Sequence, residues 1–210
     1  DSQSRNSRRN AVSGSSGSAS SPRSGVTTAG ASTRNIWTGS ELVGLNASGR
    51  APAGWTPARF AGRTAMPERG WDTVTIPGAV AGWRALSERF GRLPFADLFE
   101  PAIRYAHDGY AVSPIIAEKW ALAAGVMPKD FGWFEHFAPR GRPPAVGEIF
   151  ASPAMADSLT KIARSGGDAF YRGELADAMV RHAQSSSGAH TRADFEAHAA
   201  DWVTPLAYDY

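Results

Sequence analysis

The first aromatic residue of this chain is Trp37. Ahead of it run 36 residues dominated by Ser, Gly, Thr, Arg and Ala, with Val12, Val26 and Ile36 as scattered large aliphatics. Such a stretch has no apolar period to bury. Ordering it costs ~1–2 kcal/mol per residue, which so little apolar area cannot offset. Residues 1–36 are therefore read as a low-complexity, disordered leader, and the core is expected from 37–210. Five arginines (Arg5, Arg8, Arg9, Arg23, Arg34) face one acid, Asp1, in the leader, so it carries 5 − 1 = +4. With +2 over the whole chain, the rest carries 2 − 4 = −2. That balance argues for no nucleic-acid partner and leaves the basic tail as a solvated segment.

Beyond Trp37 the punctuation is regular. Trp37–Leu45 reads as a hairpin-like strand pair around Thr38-Gly39-Ser40. A Gly/Pro/Arg loop follows over 51–70, then a short strand over Asp72–Ile76 stopped by Pro77-Gly78. Val80–Phe90 has helical spacing at Val80, Trp83, Leu86 and Phe90. Pro94–Asp108 carries a wide apolar stripe, with Pro101 expected to kink or split it. Ser113-Pro114 and Ser152-Pro153 each read as an N-cap followed by proline in the first turn, opening helices over 115–124 and 154–164. Residues 127–147 read as an aromatic, proline-rich loop. Glu174–Gln184 is a helix expected to face Leu175, Ala178, Met179 and His182 inward. Thr191–Asp194 resembles a capping box with Asp in the Glu position, and a short helix runs to about Ala200. Trp202–Tyr210 is extended. The class is α+β and helix-rich. No apolar run approaches the ~18 residues of a membrane span, and the absence of cysteine removes disulfides and thiolate metal sites.

No self-contained active site emerges from these residues. There is no phosphate-type glycine loop between a strand and a helix. His182, His190 and His198 are spaced by eight, not by the three or four that places ligands on one helix face, so all are read as surface or helix-flank histidines. His107-Asp108 suits a helix C-terminus. Glu88, Asp97 and Glu100 lie beside Arg84, Arg89 and Arg104 as solvated ion pairs. The aromatic loop Phe131–Phe137 is either packing surface or the wall of a groove.

An ordered series of segments nevertheless resembles the large subunit of the γ-glutamyltransferase family. It comprises Val74-Thr-Ile-Pro-Gly-Ala-Val-Ala-Gly-Trp83, Ala85–Leu98, Pro101–Ala106, Gly109–Ser113, Phe150–Pro153, Ala169–Ala176, Thr191–Asp194 and Trp202–Leu206. The resemblance spans about Thr38 to Tyr210. It implies a helix-rich fragment of a four-layer αββα N-terminal-nucleophile hydrolase. In that family a precursor cleaves itself, and the new N-terminal Thr of the small subunit attacks a γ-glutamyl amide with its own amino group as base. The acyl group then passes to water or to an amino acid. No metal or organic cofactor is implied, and the partner is the small-subunit portion of the same precursor. No catalytic residue is assigned to this chain, which is read as truncated before the nucleophile.

The resemblance also marks candidate substrate-binding residues. Glutathione-processing members carry an Arg-Glu-x-Ala-Pro-like stretch whose Arg grips the substrate α-carboxylate. Ala51-Pro52 matches its end, which places Ser48 at the Arg position and leaves Arg50 two residues on. Losing a bidentate clamp is not conservative. The stretch Asn46-Ala-Ser-Gly-Arg-Ala-Pro52 looks like the branch that includes oxamate-type amidohydrolases. Two substrate classes stay open, a γ-glutamyl amide and another small acyl amide such as oxamate. A non-catalytic interaction module is the reading from another class. The leader departs from the aliphatic segment that members carry upstream and has the look of a frameshifted reading of GC-rich DNA; a natural disordered leader is the competing explanation. The family suggests a periplasmic or secreted setting, and cytoplasmic placement stays open because no signal is visible.

Overall fold

A computed structural model describes residues 26–29, 33–127, 129 and 132–206. A four-stranded antiparallel sheet gathers both ends of this range. Strands β1 (Val26–Ala29), β2 (Thr33–Trp37), β3 (Leu42–Asn46) and β6 (Asp201–Val203) lie in that order. The hairpin read from Thr38-Gly39-Ser40 is present, with Trp37 opposite Leu42 and Thr38 N–H donating to Glu41 O at 3.0 Å. Val43 and Leu45 of β3 are buried, at 8% and 1% exposure. Gly44 between them is opposite Val203, where a Cβ would meet the valine side chain at 2.8 Å.

The expected boundary at residue 36 moves toward the N-terminus. Residues 33–36 form most of β2, Ile36 is buried opposite Val43, and Val26 pairs with Ile36 from the other side. Composition averaged over 36 residues hides this, because ladder hydrogen bonds come from the backbone and one well-placed β-branched side chain suffices to seat the strand. Residues 1–25 and 30–32 lie outside the described residues, as does the extended reading over 207–210.

Between β3 and β6 the chain is helical. The elements are α1 (Ala79–Phe90), α2 (Glu100–Asp108), α3 (Pro114–Val126), α4 (Trp133–Phe137), α5 (Pro153–Arg164), α6 (Asp168–Arg172), α7 (Glu174–Ser185) and α8 (Arg192–Glu196). A two-stranded ribbon of β4 (Tyr110–Ala111) and β5 (Ile149–Phe150) ties the start of α3 to the start of α5. Pro101 splits its segment as expected. A 3-10 helix covers Phe95–Phe99 and α2 restarts with the proline in its first turn, where its missing N–H costs nothing. Ser113 and Ser152 both cap, accepting from Ile116 N–H and Met155 N–H. Thr191 and Asp194 close a reciprocal capping box on α8.

Several sequence expectations are corrected. Asp72–Ile76 is not a strand. Trp71–Thr73 is a 3-10 helix, and the extended residues after it are pinned by His190 Nε2 on Val74 O and by Ile76 N–H on Arg50 O instead of by a ladder. The loop over 127–147 contains the short helix α4. The last helix ends at Glu196, short of Ala200. Helix α7 keeps half of its expected face: Leu175 and Met179 pack partly buried against the core, but Ala176, Val180 and Ala183 are the buried residues, and Ala178 and His182 are exposed. Small residues set the face here because α7 packs close to α6 and α8. The core joins Ile76, Val80, Phe99, Ile162, Tyr171, Val180 and Phe195, so it sits between α1, α5, α7 and α8.

Candidate substrate-binding site

Residues Asn46 to Arg50 leave β3 as a short loop that exposes Ser48 and Arg50 and buries Ala47. Asn46 Oδ1 accepts from Ser48 N–H at 3.0 Å, a side-chain turn that Asn forms readily. The loop lies directly on the Thr75–Gly78 segment. Two glycines make that approach possible. A Cβ on Gly49 would sit 1.9 Å from Ile76 O, and one on Gly78 would sit 1.7 Å from Ala47 O. Ile76 N–H donates to Arg50 O at 3.0 Å and fixes the register between the two segments.

The seat beneath the loop is rigid. Tyr171, 5% exposed, donates its hydroxyl to Pro77 O at 2.8 Å and accepts from Ala81 N–H at 3.0 Å. Burial pushes its phenol up to about 12, although the Ala81 N–H works the other way. The ring of His198 stacks on Tyr171 with centroids 5.4 Å apart. His198 is buried, and neither ring nitrogen has a hydrogen-bond partner among the described residues. Burial holds its imidazole below the ordinary value, the Arg50 charge adds to that, and Asp201 opposes it.

Both sequence-derived candidates fall on this loop. Ser48 is exposed, as is Arg50, whose Nη2 lies 3.3 Å from Asp201 Oδ2 at the start of β6. Exposed pairs of this kind contribute little to stability, but the contact ties the guanidinium to the start of β6. Downstream, Pro52 is fully buried and Ala53 N–H donates to Asp194 Oδ1 at 2.8 Å. Burial raises the cost of ionising Asp194. The hydrogen bonds from Ala53 and from the Thr191 hydroxyl and N–H outweigh it and hold the carboxyl below its usual range.

The histidines correct the surface reading in part. His190 is 1% exposed and His198 4%, whereas His107 and His182 are exposed. His190 donates Nε2–H to Val74 O at 2.7 Å, and burial lowers its basicity. Their spacing hid them because each belongs to a loop flanking α8, not to a helix face. No cluster of three or more metal-ligating side chains occurs among the described residues. The same residues contain no helix long and apolar enough to cross a membrane. Ser152 Oγ lies 3.0 Å from His136 Nε2, a nucleophile-like pairing, yet Ser152 is buried and its oxygen already caps α5.

With this geometry in hand, comparison with known proteins places the chain in a class. A family model described as gamma-glutamyltranspeptidase matches residues 30–210. The chain belongs to that family, and its α+β fold is part of the N-terminal-nucleophile hydrolase fold. Among curated relatives, the glutathione hydrolase-like YwrD proenzyme of Bacillus subtilis is 37% identical over 166 residues, 79% of this chain and 32% of that protein. The oxamate amidohydrolase proenzyme of Klebsiella pneumoniae is 33% identical over 174 residues, 80% of this chain and 33% of that protein. Among solved structures, cephalosporin acylase from Bacillus halodurans superposes with a TM-score of 0.78 at 39% identity, covering 84% of this chain and 34% of that one. This chain spans about a third of the length of these curated relatives.

Proposed function

We propose that this chain forms part of the large subunit of an amidohydrolase that cleaves a γ-glutamyl or similar small acyl amide. The acyl group passes to water or to an amino acid. The colinear family match over residues 30–210 carries this reading. The nucleophilic Thr and the oxyanion hole are assigned to polypeptide outside this chain, in the remaining part of the precursor. Ser48 and Arg50 are the chain's contribution to substrate binding. On this reading the chain alone turns over no γ-glutamyl anilide.

A second substrate class is favoured by one observation. Ser48 stands where the clamp Arg of glutathione-processing members is expected, and Arg50, two residues on, is engaged by Asp201. A substrate α-carboxylate would meet a hydroxyl there. A charge-assisted hydrogen bond contributes roughly 1.5–3 kcal/mol, about 10–150-fold in preference. The full-length precursor should therefore prefer a small amide such as oxamate over glutathione, and Ser48→Arg should shift the ratio toward γ-glutamyl substrates by about that factor. Efficient glutathione turnover that vanishes in Arg50→Ala and is unchanged in Ser48→Arg would restore the plain γ-glutamyl reading.

A further inference from the structure

Three arginines gather around the Gly70-Trp71 turn. Arg59, Arg63 and Arg69 share a polar cleft of about 380 Å³ with a single acid, Asp72. Asp72 is committed to two of them, Oδ1 to Arg59 Nε at 2.7 Å and Oδ2 to Arg63 Nη2 at 3.4 Å. Arg69 has no hydrogen bond or ion pair among the described residues.

The same arginine lines a second cavity on the other side of the turn, of about 420 Å³. Its remaining walls are mainly Trp71, Val74, Met127, Trp133 and Phe137, and among the described residues no acidic residue lines it. That volume lies within the range of small-molecule sites, which pair apolar walls with a few placed polar groups. The walls are also held in place. Trp71 donates its indole N–H to His182 Nδ1 at 3.0 Å and packs edge-on against buried His190 at 4.8 Å. Trp133 lies against Phe137 with centroids 5.6 Å apart.

We propose that this cavity binds a small amphipathic carboxylate, with its aryl or alkyl body between Trp71 and Trp133 and its carboxylate on the Arg69 guanidinium. A free guanidinium presents a planar fork of donors that matches a carboxylate. A neutral apolar ligand leaves that fork unused. A short dicarboxylate satisfies the fork and leaves the aromatic walls wet. One ligand chemistry satisfies both halves. The site is separate from the Ser48–Arg50 loop, and it stands whether or not the chain serves an amidohydrolase. The two adjoin through one extended segment: Val74 lines the cavity, and Ile76, two residues on, holds Arg50 O.

The test is saturation-transfer NMR on the whole chain with three probes: indole-3-propionate, its neutral amide, and glutarate. Indole-3-propionate should bind with Kd on the order of 1 mM, typical for a ligand of that size. The amide and glutarate should each bind about tenfold more weakly or worse. Arg69→Gln should erase the difference between acid and amide, while Arg104→Gln, an equal charge change on α2, should preserve it. Trp133→Ala should weaken acid and amide alike. No transfer from indole-3-propionate at 20 mM, equal binding of acid and amide, or an unchanged Kd in either Arg69→Gln or Trp133→Ala would overturn the proposal. Amide spectra of each variant matching the parent's confirm that the fold is intact.

Discussion

Helices α3 and α7 are almost the same length, 13 and 12 residues, and α3 is the more apolar. Yet α7 is the one that buries. Ala176, Val180 and Ala183 recur along one stripe, and Ala176 and Val180 join Phe195, Tyr171 and Ile162 in the core, while its other faces carry Asp177, Arg181 and Gln184. Helix α3 carries only Glu118 and Lys119 as charged residues, its apolar residues follow no single stripe, and it has no buried residue; Ile115, Ile116, Leu122 and Val126 are all exposed. It is held chiefly through Trp120, whose ring meets Phe150 at 4.7 Å and Phe137 at 6.0 Å. The contrast teaches that a narrow stripe with a polar back specifies a place in the core, whereas apolarity without direction does not.

The comparison can be broken at its strongest point. Phe195 is fully buried at the hub of the α7 side, and Phe195→Ala should cost about 3–5 kcal/mol, read as a lower urea midpoint. Gly78→Ala should follow closely at about 3 kcal/mol, because the new methyl group meets Ala47 O and backbone must shift. If Gly78→Ala unfolds at the parent's midpoint, the close seat of the Ser48 loop is wrong. Tyr171→Phe removes a hydroxyl that serves both Pro77 O and Ala81 N–H, and about 1–3 kcal/mol should be lost.

Acid gives a subtler probe of the same side. His190 and His198 have lowered folded-state values, so the unfolded chain binds their protons more readily. Stability should therefore fall as pH drops below the unfolded value of about 6.5 toward the folded values. His198→Phe should flatten that slope; an identical slope in the variant would remove His198 from the account. Asp194 acts lower down. Its depressed value gives stability above the unfolded value of about 3.9 that is lost as pH falls through the folded one. Smallest of all, Leu122→Ala on α3 should change stability by about 0.5 kcal/mol or less. A loss of 2 kcal/mol there would erase the distinction between the two helices.

The sequence was most legible where local chemistry alone decides. The Ser113-Pro114 and Ser152-Pro153 caps, the Thr191–Asp194 capping box, the Pro101 break and the hairpin at Gly39 are all present, because each needs only its immediate neighbours. Contacts across the chain were not legible. The Asp72–Ile76 segment has strand-like residues but takes its hydrogen bonds from His190 and Arg50, far away in sequence. The candidate loop was found from Ala51-Pro52 by resemblance, while its seat was not. Nothing local in Gly49, Gly78, Tyr171 and His198 announces that they meet. In sequence Arg69 is one of several arginines in a Gly/Pro loop, and its lack of a partner among the described residues is a fact about the fold.

Asp194 has one more consequence. Its two oxygens join the start of α8 to Ala53, which lies 141 residues earlier. The same closure recurs where β6 zips onto β3. During synthesis, the stretch bearing Ser48 and Arg50 leaves the ribosome early and must wait for the distant carboxylate. At ~5–20 residues per second that delay is roughly 7–30 s. Over that interval β3 has an unpaired edge, so a chaperone's hold on nascent chains of this protein should release only after β6 has emerged.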